Sequence, residues 1–325
     1  MIKSFNSFFD TAIFFLLILF SLVLAFGQNF SVIVLDGINL WVACVLPSLF
    51  PYFFITAVLS KLKMTSKISN GLSPLTKRFF NVGGAVGYAF FISLLSGYPT
   101  GAKMVSDLKE KGLISDEESI RASAVCSTSS PMFLIGSVGN LMFGSSLFGV
   151  LLFCCHLLSA LTIGFIFSFY KKGQALSKNA TFISEEQTDN ILYESVFSAV
   201  TSVLVVGGLI VIFYLLTEVM FRIGLLSPLI NGLGVLFGNQ TTAKGIVFGA
   251  LECTSGLKSL CSLGITSLSL PLCAFTCGFG GLSVIIQSVA YLKKAKIKTA
   301  PFIFSKLLSA VVNFIYALIA SFIFL

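Results

Sequence analysis

Charge is what this sequence has least of. Asp, Glu, Lys and Arg make up 10% of its 325 residues, against 56% that are hydrophobic; a soluble domain carries about a quarter charged residues. That shortage, with a mean hydropathy of +0.98, excludes an ordinary soluble fold and leaves a polytopic membrane protein. Histidine is nearly absent too. His156 stands alone and no Cys-X-X-Cys pair occurs, so a zinc framework lacks its ligands and a histidine-based triad lacks its partners. The cysteines, Cys44, Cys126, Cys154, Cys155, Cys253, Cys261, Cys273 and Cys277, fall almost all inside apolar runs, where cysteine behaves as a small hydrophobe. No Gly-Lys-Ser/Thr phosphate loop is present, which argues against an attached nucleotide motor. No base and nucleophile are arranged together, so enzymatic activity is not expected. A single tryptophan stands against 35 phenylalanines, and no marked tryptophan belt is expected at the bilayer surfaces.

The charge that is there is patterned. A net charge of +8 comes from Lys and Arg in short loops between apolar runs, which sets membrane topology and builds no nucleic-acid-binding stripe. The lipid bilayer is the expected partner; no nucleic acid is.

Taken in order, residues 9–27 form an apolar run after Lys3. The run is long for the core of a signal peptide, so residues 1–30 are expected to stay as an N-terminal transmembrane helix, although Ala25-Phe26-Gly27 would suit a cleavage site. A second span covers 34–60, with Pro47 and Pro51 as kinks. A basic loop with Lys61, Lys63, Lys67, Lys77 and Arg78 follows. The next apolar run ends in Ser96-Gly97-Tyr98-Pro99-Thr100-Gly101-Ala102-Lys103 and passes at once into polar sequence. An apolar segment of about a dozen residues is too short to span a bilayer, and Gly-Tyr-Pro-Thr-Gly does not continue a helix. A re-entrant hairpin over 82–112 is predicted.

Residues 117–143 read as a span broken at Cys126-Ser127-Thr128-Ser129-Ser130-Pro131, because serine caps and proline opens a new half-helix. An ordinary span covers 145–170, and the polar stretch 172–190 is the linker. The second half repeats the order: a span from about 192 to 221, a hairpin over 240–263 with the tip Leu251-Glu252-Cys253-Thr254-Ser255-Gly256-Leu257-Lys258, a span over 267–292 broken at Gly278-Phe279-Gly280-Gly281, and a last span to 325.

Local matches support a repeat. Leu72-Ser73-Pro74-Leu75 matches Leu226-Ser227-Pro228-Leu229, Thr100-Gly101-Ala102-Lys103 matches Ser255-Gly256-Leu257-Lys258, Cys126 matches Cys277, and Leu157-Leu158-Ser159-Ala160 matches Leu307-Leu308-Ser309-Ala310. An odd number of crossings separates the starts of repeat 1 (31–171) and repeat 2 (191–325), which makes them inverted. With the N-terminus cytoplasmic, nearly all loop Lys and Arg fall inside and only Arg222 and Lys244 fall outside. The expected fold is an all-α polytopic membrane protein of about seven full crossings, with two inverted repeats that each hold a re-entrant helical hairpin and a broken transmembrane helix.

Val45-Leu46-Pro47-Ser48-Leu49-Phe50-Pro51 and the Gly97-Tyr98-Pro99-Thr100-Gly101-Ala102-Lys103 run resemble the nucleoside-recognition or Gate domain family of membrane proteins, most closely its sporulation membrane protein YlbJ group. The resemblance covers nearly the whole chain. It implies the fold of concentrative nucleoside transporters, alternating access, assembly as a homo-oligomer, often a trimer, and location in a bacterial cell membrane, including one around the forespore. It also implies transport of dipicolinate during sporulation. Transporters of that fold carry acidic residues in their hairpins for nucleoside and cation; the first tip here has none, which puts a nucleoside in doubt.

Two helix-start lysines at equivalent places, Lys103 and Lys258, suit an anionic small-molecule solute, since half-helix amino ends carry partial positive charge; each would otherwise snorkel to its interface. Glu252 is the sole acid in either tip, and is read as an ion-pair partner of Lys258 or Lys103 or as the group that couples H+ or Na+. The candidate solute-binding set is Ser96, Gly97, Tyr98, Pro99, Thr100, Gly101, Lys103, Ser127, Thr128, Ser129, Ser130, Glu252, Thr254, Ser255, Gly256, Lys258, Gly278, Gly280 and Gly281. The serines also suit self-satisfaction of an opened backbone, and the glycines suit close helix packing. His156 and Lys306 are repeat equivalents read as lying on outer spans, with core packing favoured for His156. No resident cofactor or metal is expected. A neutral-solute carrier and a non-transporting membrane assembly or signalling component stay open as alternatives.

Overall fold

The computed structural model describes residues 30–62, 64–171 and 190–324, together with Ser21. All regular elements among them are helices, and the protein is an all-α polytopic membrane protein. Helix α1 (Phe30–Lys61) carries a π-type turn at Trp41–Val45 just before Pro47, whose missing N–H leaves a carbonyl without its usual partner. Helix α2 (Met64–Phe80) is amphipathic and basic at its end, and it turns by 94° into α3 (Gly84–Ser96). The short α4 (Thr100–Glu110) returns, α5 (Asp116–Val125) and α6 (Met132–Met142) flank the first break, and α7 (Ser146–Ser168) closes the first half. The order then runs again: α8 (Ile191–Arg222), α9 (Ser227–Phe237), α10 (Gln240–Leu251) and α11 (Cys253–Cys261), the broken pair α12 (Ser269–Phe279) and α13 (Gly281–Lys294), and α14 (Thr299–Phe324).

Among the described residues five helical segments, with α12 and α13 together counted as one, are long and apolar enough to cross a bilayer, and the bent pair α2–α3 would make a sixth by length and composition. About seven crossings are expected from the sequence. The helix expected at 9–27 lies outside the described residues, as does nearly all of the 172–190 linker. The span expected over 117–143 is two short pieces, and the first of them, α5, carries Asp116, Glu117, Glu118 and Arg121. Such a helix survives at depth only inside protein, and α5 is buried from Glu118 to Val125.

The main core gathers Leu49 and Phe53 of α1, Leu134 of α6, Leu152 of α7, Val203 of α8 and Leu270 of α12. Outside it lies a lipid-facing skin. On α14, Phe304, Leu307, Val311, Ile315, Ile319 and Phe322 are exposed, while Phe302, Lys306, Ala310, Asn313 and Ala317 are buried. Both stripes follow the helical period, so Lys306 belongs to the inward face of α14. Inside, Ser159 of α7 donates to the Ser309 carbonyl of α14 at 3.2 Å. Ser159 and Ser309 are also matched positions in the local sequence repeat.

Candidate functional site

The first hairpin tip is built onto the first break. Gly97 has φ +77°, a conformation that favours glycine, and a Cβ there would stand 3.0 Å from the Ser130 nitrogen. The Tyr98–Pro99 peptide is cis. One turn on, Gly101 lies so close to the break that a Cβ would stand 1.6 Å from the Cys126 carbonyl oxygen. Breaking a helix frees carbonyls on one side and N–H groups on the other, and each needs a partner at this depth. Ser93 of α3 donates to the Cys126 carbonyl at 2.6 Å and lies 2.9 Å from the Thr128 hydroxyl. Lys306 donates to the Ser127 carbonyl at 3.4 Å. The Ser129 N–H donates to Nε2 of His156 at 2.8 Å, and the Phe133 N–H donates to the Ser130 hydroxyl at 3.2 Å. The opened backbone is thus held from three sides.

His156 therefore has a definite job. Its Nε2 accepts, and its Nδ1 lies 3.1 Å from the Asn313 side-chain amide of α14. His156→Ala is expected to leave the Ser129 N–H without a partner at a cost of about 1–3 kcal/mol. Thermal unfolding of the purified variant, compared with His156→Gln, whose carbonyl supplies an acceptor, checks this; the Ala variant melts lower and the Gln variant recovers part of the loss.

At the second tip, Glu252 does locally what the sequence reading assigns to an ion pair. Its carboxylate accepts from the N–H groups of Thr254 at 3.0 Å and Ser255 at 2.6 Å, capping its own helix α11. No Lys or Arg among the described residues pairs with it, so pairing with Lys103 or Lys258 is corrected. The limbs of this hairpin cross at Gly249 and Gly256, where a Cβ on Gly256 would stand 2.2 Å from the Gly249 Cα. The second break is a glycine pair: Gly280 at φ +83° ends α12, and a Cβ on Gly281 would stand 2.9 Å from the Cys253 nitrogen. Gly278 packs on Ser309 and Ala310 of α14. These glycines serve packing between helices, and none lines the cavity described next.

Tips and breaks meet at one small cavity of about 40 Å³, room for a few waters at most. Its wall includes Gly97, Tyr98, Ser129, Ser130, Glu252 and Thr254 from the expected set. Tyr98 ties the first half to the second, its hydroxyl donating to the Cys277 carbonyl at 2.9 Å. A larger space of about 250 Å³ lies beside it, lined by Pro99, Thr100, Lys103 and Thr201 among others, and shares Val206 and Gln287 with the cavity. It is a vestibule. Ser96 donates to the Ile92 carbonyl of its own helix, and Ser255 donates to the Glu252 carbonyl, so both hydroxyls are spent locally. Lys103 and Lys258 are both exposed; Lys103 lines the larger space and Lys258 lines neither, so the two lysines expected to serve one anionic solute do not share a site.

The sequence reading missed three residues. Ser283 and Gln287 lie one turn apart on α13, line the cavity, and are only 1% and 7% exposed. The Ser283 hydroxyl and the Gln287 side-chain carbonyl have no protein partner. A buried polar atom left open toward a cavity is a group waiting for a ligand or water. Lys306 is the third, assigned to an outer span although a lone charge within an apolar helix is by itself a functional signal.

The chain is similar to the sporulation integral membrane protein YlbJ of Bacillus subtilis (strain 168). The two are 27% identical over 307 residues, covering 87% of this chain and 75% of the relative. No family model matches the chain, and no solved structure matches it. The apolar spans and this similarity together place the protein as an integral membrane protein.

Proposed function

We propose that the protein is a secondary carrier of a small anionic solute, working by alternating access at the cavity between the two hairpin tips and the two helix breaks. The observation that carries this reading is a single small cavity whose wall is drawn from both hairpin tips and from the helix ends at both breaks, beside a larger space, taken as its vestibule, with which it shares Val206 and Gln287. At about 40 Å³ the cavity is far below the ~300–1,000 Å³ of ligand pockets, so solute enters only when tip and break part. Residues at the amino ends of α6, α11 and α13 line it, which brings three positive helix ends together, and the Lys306 ammonium lies 4.9 Å over the Tyr98 ring. The Glu252 carboxylate is engaged by its own helix. Similarity to a sporulation protein, and the Gate-domain resemblance of the Gly97–Lys103 run, direct the choice of solute to dipicolinate, an aromatic dicarboxylate. A neutral solute coupled to H+ or Na+ is the second reading, favoured by the presence of Glu252 in the cavity wall.

Proteoliposome counterflow with labelled dipicolinate and labelled nucleosides tests it. Dipicolinate exchange is expected, with Gln287→Leu lowering it about tenfold, the worth of one hydrogen bond of ~1.4 kcal/mol, and Lys103→Ala weakening apparent affinity while leaving the maximal rate. Nucleoside exchange without dipicolinate exchange would favour the second reading. Folded protein that exchanges neither would favour an assembly or signalling role.

A further inference from the structure

Lys306 is buried, 1% exposed, on the inward face of α14. No carboxylate among the described residues lies within ion-pair distance of it. The titratable groups around it are the Tyr98 phenol, the His156 imidazole and the thiols of Cys253 and Cys277, from the first tip, α7, the second tip and α12. What compensates its charge is the backbone. Helix α5 ends at Val125, its freed Cys126 carbonyl is taken by Ser93, and the next carbonyl, Ser127, accepts from the Lys306 ammonium at 3.4 Å. The Tyr98 ring offers its face at 4.9 Å. The Lys306 stem passes Gly280, whose Cβ position would stand 3.7 Å from Cε.

The carboxyl end of a half-helix carries partial negative charge, and freed carbonyls at such ends can coordinate an alkali cation. We propose that Lys306 is a tethered cation that permanently fills this position, so that no Na+ binds at the first break and the ammonium itself holds the first tip, the break and α14 together. The assignment rests on the carrier reading for its role in transport. It accounts for a lone lysine on the inward stripe of an otherwise uncharged α14. It also explains why the first tip does without an acid: the positive charge that such an acid would bind is already attached to the chain and held by the Ser127 carbonyl and the face of the Tyr98 ring.

The test is thermal unfolding of the purified protein, without solute, in NaCl and in choline chloride. Wild-type protein is expected to melt at the same temperature in both. Lys306→Ala is expected to melt several degrees lower in choline and to regain at least half of that loss in Na+ or in propylammonium, which refill the vacated place at the Ser127 carbonyl. Lys306→Met, which fills the space with an apolar chain, should gain nothing from either ion, and Lys306→Arg should behave as wild type. Stabilisation of the wild-type protein by Na+, or a Lys306→Ala protein indifferent to every cation, overturns the assignment. If Lys306→Ala does not purify, the wild-type and Lys306→Arg comparisons decide by the same criteria. Because no solute is present, failure here leaves the carrier reading standing, and failure of solute exchange leaves this result to be judged alone.

Discussion

Gly101→Ala is expected to yield little or no folded protein, although it adds one methyl group to a helix. A Cβ at this position would stand 1.6 Å from the Cys126 carbonyl oxygen and 2.5 Å from the Ser93 hydroxyl. The first contact is with backbone, so no side-chain rotation relieves it. Helix α4 must move away from the first break, and the second contact pushes the Ser93 hydroxyl of α3 off the 2.6 Å hydrogen bond by which it satisfies that same carbonyl. Overpacking costs about 1–3 kcal/mol where the surroundings can adjust; here an orphaned carbonyl at membrane depth adds a further ~1–3 kcal/mol. Gly208→Ala is the control. Gly208 lies within α8, a Cβ there meets nothing within 4 Å, and alanine favours a helix over glycine by about 1 kcal/mol. Detergent-extracted yield on size exclusion and the unfolding midpoint should collapse for Gly101→Ala and hold for Gly208→Ala. Equal yields and midpoints would show that tip and break are not packed as described.

That contrast shows where sequence reasoning reaches its limit. Composition alone gives an all-α polytopic membrane protein, because a chain with so little charge has few other ways to satisfy its backbone. Serine, proline and glycine stand where helices end in the structure, at Ser127–Pro131 and Gly280. Their roles were not legible. Gly97 and Gly101 stand in one short motif, yet one serves a left-handed backbone and the other a contact with a residue 25 positions on (126 − 101). Lys103 and Lys258 drew attention because they follow the tips in the chain, whereas exposure separates them from the cavity. Lys306 lies far from either tip in sequence and reaches the break across the helix packing. The inward stripe of α14 and the Ser283/Gln287 spacing on α13 carried a readable signal, since polar residues one turn apart inside an apolar span seldom face lipid.

Glu252→Ala is expected to give the second large effect, and its companions separate two roles for the carboxylate. Helix α11 is only 9 residues long and starts in the protein interior, so its first N–H groups have no water to turn to. Alanine leaves the Thr254 and Ser255 N–H groups without acceptors, at a cost of roughly 2–4 kcal/mol for the pair, and a strong loss of thermal stability follows, with a loss of solute exchange under the proposed carrier function. Glu252→Asp keeps a carboxylate of a residue type that caps helices well and should melt close to wild type. Glu252→Gln retains one acceptor oxygen and discards the charge. A carboxylate that only caps predicts that Gln lowers stability modestly and lowers exchange and gradient-driven uptake in step. A carboxylate that also carries the coupling proton or cation predicts that exchange survives in Glu252→Gln while uptake driven by an ion gradient is lost, because exchange returns the loaded carrier without requiring the charge to be released. Measuring both modes on the same proteoliposomes decides between them, and the Asp variant guards against mistaking a frayed α11 for an uncoupled one.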